Sequence, residues 1–205
     1  MYQTEQEKFW AGDFGDQYCD RNQGKAVEAS KTHFWSRVLH HVQPLDSIFE
    51  FGANIGLNLK VLGNLLPDAR RFGIEVNENA HKSLVEVIGE QNAIHGSILD
   101  LEFDQKVDLT FTVGVLIHIN PMELEKVYER LYKYSKRYIL VAEYYNPAPV
   151  MINYRGESDR LFKRDFAGEI MKKYPDLELV HYGFAYHGDP VAPQDDITWF
   201  LMEKK

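Results

Sequence analysis

The chain has one cysteine, Cys19, so it holds no disulfide framework and no site built from several thiolates. A reducing compartment, the cytoplasm, is the expected setting. No apolar run approaches the roughly 20 residues of a membrane span. The opening Met1-Tyr2-Gln3-Thr4-Glu5-Gln6-Glu7-Lys8 lacks the basic and apolar regions of a signal peptide, so no membrane partner is expected. Cations are the minority charge. The 23 Lys and Arg against 31 Asp and Glu leave −8, spread along the chain, which argues against a protein that tracks nucleic-acid phosphates. A small acceptor molecule is the more natural partner, bound by a monomer or homodimer. What is present, 44% hydrophobic and 13% aromatic residues in 205, suffices for one well-cored domain and is short for two.

Apolar residues Val27, Phe34, Val38 and Val42 recur at helical spacing and predict an amphipathic helix over 25–42, ended by Pro44. Short apolar or alternating runs at 46–51, 71–76, 92–97 and 107–114 alternate with helical patterns at 56–66 and 78–90, a βαβ rhythm. Asn120-Pro121-Met122-Glu123 reads as a helix start with Asn as the cap and Pro at the first position, the helix running to about Ser135. Arg137 to Glu143 reads as a fifth strand. Residues 150–163 have no clean period and are expected to be an irregular surface insertion, before a helix at 165–174. Leu177–His187 and Asp196–Lys204 read as an antiparallel pair closing the sheet edge. The domain then divides into an N-terminal lid arm (1–24), a cofactor-binding core (25–146) and an acceptor side (147–205).

Ser47 to Leu59 is the most informative stretch, a buried strand ending in a small-residue loop that opens a helix. Such a loop lets a nucleotide-like ligand reach bare backbone and the unpaired N–H groups of a helix start. The dinucleotide fingerprint needs G-x-G-x-x-G, whereas here the glycines fall at 52 and 56 around Asn54, which disfavours nicotinamide binding. Glu50, Gly52, Asn54 and Gly56 instead resemble motif I of class I S-adenosylmethionine-dependent methyltransferases, E/D-x-G-x-G-x-G, with Asn at the middle glycine. Asn tolerates positive φ better than other non-glycine residues, so the turn survives.

Glu75 lies 23 residues after Gly52, at a strand end where a carboxylate accepts hydrogen bonds from both ribose hydroxyls of an adenosine. Ala53 and Asn58 belong to the loop and helix start, Val76 follows Glu75, and Val113 and Gly114 end the fourth strand. Ser97 is assigned to the adenine amino group and Ile98 to its face, with Asp100 sharing that work as the alternative. The N-terminal segment from Phe9 to Asn22 mixes aromatics and glycines without a helical stripe and reads as a lid. Trp10 and Tyr18 would cover the sulfonium, and Arg21 would hold the cofactor carboxylate. His118 is the first candidate for a base, followed by Tyr144 or Tyr145 and then His187. Asn146, Tyr154, Arg155, Arg160, Lys163 and Asp195 are the expected acceptor contacts, Arg155, Arg160, Lys163 and Arg164 forming a basic cluster suited to an acidic group. His118, His187, Asp189, Asp195 and Asp196 have no spacing suited to a metal, and none is expected.

Over nearly its whole length the chain resembles the pseudaminic acid biosynthesis-associated methylase family. The matching strings include Thr4-Glu5-Gln6-Glu7-Lys8-Phe9-Trp10-Ala11-Gly12, Gly52-Ala53-Asn54-Ile55-Gly56-Leu57-Asn58-Leu59, Gly114-Val115-Leu116-Ile117-His118-Ile119-Asn120-Pro121, Arg160-Leu161-Phe162-Lys163-Arg164-Asp165-Phe166-Ala167-Gly168 and Gln194-Asp195-Asp196-Ile197-Thr198-Trp199-Phe200. The resemblance implies a Rossmann-like α/β fold with a mostly parallel seven-stranded sheet, an antiparallel edge strand and helices on both faces. It further implies methyl transfer from S-adenosylmethionine, leaving S-adenosylhomocysteine, to N or O of a small acceptor such as a nonulosonic acid or nucleotide sugar of surface-polysaccharide pathways. A second reading, a cofactor-binding or regulatory protein without turnover, is motivated by the atypical Asn54 and Ser97.

Overall fold

The computed structural model describes residues 3–21, 24–154 and 157–205, the side chains of residues 20, 21, 154 and 157–159 excepted. β1 (Ser47–Phe51) lies at the middle of a seven-stranded sheet, buried along its whole length because helices cover both faces. Its alternation sorts two cores. Phe49 and Phe51 face one, under α6 (Leu124–Tyr134) and α7 (Phe166–Lys173); Ile48 faces the other, under α3 (Lys25–Leu39), α4 (Leu57–Leu65) and α5 (Glu78–Ile88). Glu50 falls on the second side, a carboxylate in an otherwise apolar layer.

β2 (Arg70–Glu75) and β3 (Ala93–His95) continue the sheet outward on one side of β1; β4 (Val107–Val113) and β5 (Ser135–Glu143) do so on the other, all parallel. The strand order therefore reverses between β1 and β4, and crevices open beyond the carboxyl ends of strands at such a point. β9 (Ile197–Lys204) pairs antiparallel with β5 and with the edge strand β8 (Leu177–Ala185), giving the order β3-β2-β1-β4-β5-β9-β8. The expected mostly parallel sheet closed by an antiparallel pair is what forms.

Three local expectations fail. The N-terminal arm, read as lacking a helical stripe, forms α1 (Glu5–Ala11) and α2 (Asp13–Arg21). Thr4 and Glu7 make a reciprocal capping box that starts α1, and this S/T-x-x-E signal was in the sequence. The helix after β4 begins at Leu124 rather than at Pro121. Asn120 instead accepts from the Met122 N–H at 3.0 Å and holds a separate turn, so its side chain is spent before the helix begins. Residues 150–163, expected to be irregular, contain a hairpin of β6 (Val150–Tyr154) and β7 (Glu157–Lys163), paired antiparallel away from the main sheet.

Candidate functional site

The loop after β1 is bound to β2 by its own backbone. The N–H groups of Gly52 and Ala53 donate to the Ile74 carbonyl at 3.0 and 2.9 Å, and the Asn54 N–H donates to Glu75 Oε2 at 2.7 Å. Gly52, Asn54 and Gly56 all take left-handed backbone, with φ of 74°, 49° and 79°. Asn54 holds that conformation while its Oδ1 accepts from the Ile55 N–H at 2.6 Å. Gly56 caps α4 and packs so closely that a Cβ there would lie 2.9 Å from Leu84, which makes it a packing glycine rather than part of the cavity wall.

A cavity of about 680 Å3 lies beyond the carboxyl ends of β1, β2 and β4. Of the expected cofactor residues, Trp10, Tyr18, Glu50, Gly52, Ala53, Asn54, Asn58, Glu75, Val76, Ser97, Ile98, Val113 and Gly114 line it. So do His118, Tyr144 and Asp195 from the catalytic and acceptor sets. Gly114 has φ 68° and open space where a Cβ would project.

Two buried carboxylates face this space. Glu75 accepts the N–H groups of Asn54 and Asn77, the latter at 2.8 Å, and burial raises its pKa above the usual carboxylate range despite those donors. Glu50 accepts from Asn58 Nδ2 at 2.5 Å, while its Oε2 has no partner among the described residues. Burial pushes Glu50 up to about 8, opposed by the Asn58 hydrogen bond and by Lys31. Asn58 bridges Glu50 and Lys31, because its Oδ1 accepts from Lys31 Nζ at 3.0 Å and from Trp35 Nε1 at 3.2 Å.

The arm closes the top of the cavity. Asn77 Nδ2 donates to the Trp10 carbonyl at 3.3 Å and to Asp16 at 2.8 Å, so the residue that caps α5 also ties down both arm helices. Ser97 Oγ donates to Glu7 of α1, and Trp10 packs on His118 with ring centroids 4.5 Å apart. Asp100, the alternative adenine contact, is exposed outside the cavity and accepts from Gln3. Glu7, Lys31 and Asn77 also line the cavity and were not singled out from the sequence. The capping box points to Glu7; nothing local marks the other two, whose role comes from α3 and α5 meeting the loop.

Glu143 holds the opposite wall. Its carboxylate accepts from the N–H groups of Val115, Leu116 and Ile117 at 3.0, 3.1 and 3.3 Å, fixing the turn that carries His118. His118 Nδ1 lies 2.7 Å from the Arg160 carbonyl, which accepts only, so the ring proton sits on Nδ1 and the lone pair on Nε2. Burial lowers the His118 pKa to about 4. The imidazole is then neutral at neutral pH, and histidine NMR of the free protein should show one Nδ1–H tautomer unchanged from about pH 5.5 to 8. A titration midpoint near the ordinary histidine value would contradict this.

The remaining expected residues scatter. Arg21, Tyr154 and Arg155 lie outside the described side chains. The basic cluster does not assemble around the cavity: Arg164 pairs with Glu169 at 2.7 Å, and Arg160 lies over the Phe9 ring at 5.2 Å. Asn146 donates to the Ala148 carbonyl outside the cavity, because the chain turns there at Pro147. His187 is exposed, also outside the cavity, and pairs with Asp196 at 2.8 Å. Tyr145 and Lys163 line a second, smaller cavity beside the first.

A seven-stranded sheet of this order, with its crevice between β1 and β4, has close counterparts among solved structures. The fold is that of the class I S-adenosylmethionine-dependent methyltransferases. A Burkholderia thailandensis 1,6-didemethyltoxoflavin N1-methyltransferase, solved with its substrate and S-adenosylhomocysteine, matches at TM-score 0.70 and 12% identity over 97% of this chain and 87% of that one. The magnesium protoporphyrin IX methyltransferase of Synechocystis PCC 6803 with bound S-adenosylmethionine matches at TM-score 0.65 and 12% identity over 100% of both chains. A Clostridium acetobutylicum S-adenosylmethionine-dependent methyltransferase matches at 0.62 and 11% over 93% and 97%. No family model and no curated protein sequence matches the chain. Among the described residues no helix is long and apolar enough to cross a membrane.

Proposed function

We propose that the protein is a cytoplasmic, monomeric or homodimeric methyltransferase that uses S-adenosylmethionine to methylate N or O of a small acceptor. The observation that carries this reading is the unpartnered, buried Oε2 of Glu50 beside Lys31, in the fold's ligand crevice. The Glu50 carboxyl and the Lys31 amine, bridged by Asn58, place an acceptor and a donor for the amino and carboxylate groups of an amino acid. Each oxygen of Glu75 accepts one N–H and keeps a further lone pair for a ribose hydroxyl. Ile98 and Val76 supply apolar contact for the adenine.

When bound, S-adenosylmethionine supplies an electrophilic methyl on a sulfonium. The chain's own part is to orient the acceptor and exclude water, with Trp10 and Tyr18 closing the site and His118 Nε2 presenting a lone pair to the acceptor's proton. The string resemblance in the sequence favours an acceptor from nonulosonic acid or nucleotide-sugar metabolism. Calorimetry with S-adenosylmethionine, and mass spectrometry of the protein as purified for a carried nucleoside, test the donor. Absence of binding overturns the reading, and binding without S-adenosylhomocysteine formation over a broad acceptor panel would favour the regulatory alternative.

A further inference from the structure

Beside the larger cavity lies a second one of about 340 Å3, walled by Tyr144, Tyr145, Lys163, Phe184, Asp195 and Thr198, with Asp196 at its rim. Tyr144 and Asp195 belong to both. The smaller cavity is built where the ends of β5, β7 and β8 meet the start of β9, with Lys163, Phe184 and Thr198 on strands and Tyr144, Tyr145, Asp195 and Asp196 on the loops that join them.

Its chemistry is of three kinds, each in its own place. Large aromatic area is left uncovered: Phe184 is 50% and Tyr145 42% exposed, and Tyr145 packs against Phe200 at 5.7 Å, which extends the shelf along the sheet edge. Among the described residues one cation lines the cavity, Lys163, whose Nζ lies 5.0 Å from the centroid of the neighbouring Tyr144 ring. The two carboxylates differ. Asp196 is committed, receiving the His187 N–H and Nδ1 at 2.9 and 2.8 Å, on a left-handed backbone (φ 54°). Asp195 lines both cavities.

We infer that the smaller cavity is the acceptor site and takes a cyclic acid bearing a hydroxyl or amine. The ring face lies on Tyr145 and Phe184, the acid group pairs with Lys163, and the hydroxyl or amine donates to Asp195, on the wall shared with the larger cavity. This assignment rests on the larger cavity being the donor site. A ring carrying a carboxylate is either a planar aromatic acid or a saturated sugar acid, and the aromatic shelf with one cation serves both.

Saturation-transfer NMR on protein loaded with S-adenosylhomocysteine separates them, with 4-hydroxybenzoate and D-glucuronate as the acids and D-glucose as the uncharged control. At least one acid should bind where glucose does not. Lys163→Met and Phe184→Ala should each weaken that acid by about tenfold, with S-adenosylhomocysteine affinity by calorimetry unchanged. Binding of neither acid, acids no better than glucose, or indifference to both substitutions would overturn the inference. A wild-type protein that holds an acid through Lys163 but not S-adenosylhomocysteine would leave a cyclic-acid site and remove its role as acceptor site. That outcome is distinct from failure of the cavity itself.

Discussion

Glu75→Ala should weaken S-adenosylmethionine binding by about a hundredfold or more. In the proposed donor site the carboxylate takes two ribose hydroxyls, and charge-assisted hydrogen bonds are worth roughly 1.5 kcal/mol or more each. It also accepts the Asn54 and Asn77 N–H groups, so its removal strips two main-chain donors of their acceptor at the loop and at the cap of α5. Unfolding should therefore become easier by roughly 3 kcal/mol, lowering Tm by about 10 °C in a chain of this size. Glu75→Gln separates the two effects. Its one carbonyl oxygen keeps an N–H acceptor while its amide nitrogen does not, so stability should fall less than in the alanine variant although binding still falls sharply. Calorimetry on folded protein decides. Intact affinity in a folded Glu75→Ala variant would remove the ribose assignment.

The parts of this site that were legible in the sequence are those a single local rule fixes. Gly52, Asn54 and Gly56 announce a left-handed turn because little else tolerates it, and Glu75 is located by its distance from that turn. The parallel character of the sheet follows from the alternation of apolar runs with helical patterns, and its antiparallel close from two longer β runs, whereas the strand order does not follow from pattern alone. What stayed hidden depends on which elements meet. Lys31 sits on an otherwise ordinary helix and matters only because α3 brings it to Asn58. Asn77 caps α5, yet its Nδ2 also anchors an arm 60 to 70 residues earlier in the chain. The basic cluster failed for the converse reason: Arg160 and Lys163 fall on opposite faces of β7, and Arg164, past the strand's end, is held by Glu169.

Glu143 carries the second large expectation, and it is one of pH. Burial raises its pKa to about 7 from 4.5, while the N–H groups of Val115, Leu116 and Ile117 pull the other way and lose. A carboxyl whose folded pKa is raised contributes stability that is fully present below the unfolded pKa and is lost as pH rises through the folded one. Between pH 4.5 and about 7 the folded protein therefore loses roughly 3 kcal/mol at this residue. Glu50 titrates in an overlapping range, so wild-type stability alone cannot isolate the effect. Glu143→Gln can, because everything else titrates alike in both proteins. The amide satisfies fewer of the three N–H groups and should make the variant the weaker protein at low pH. The gap should then move by roughly 3 kcal/mol in the variant's favour by pH 8, read by urea unfolding at both ends. A gap constant with pH would mean that the three N–H donors, rather than burial, set the charge of Glu143. The turn bearing His118 would then rest on a full carboxylate throughout.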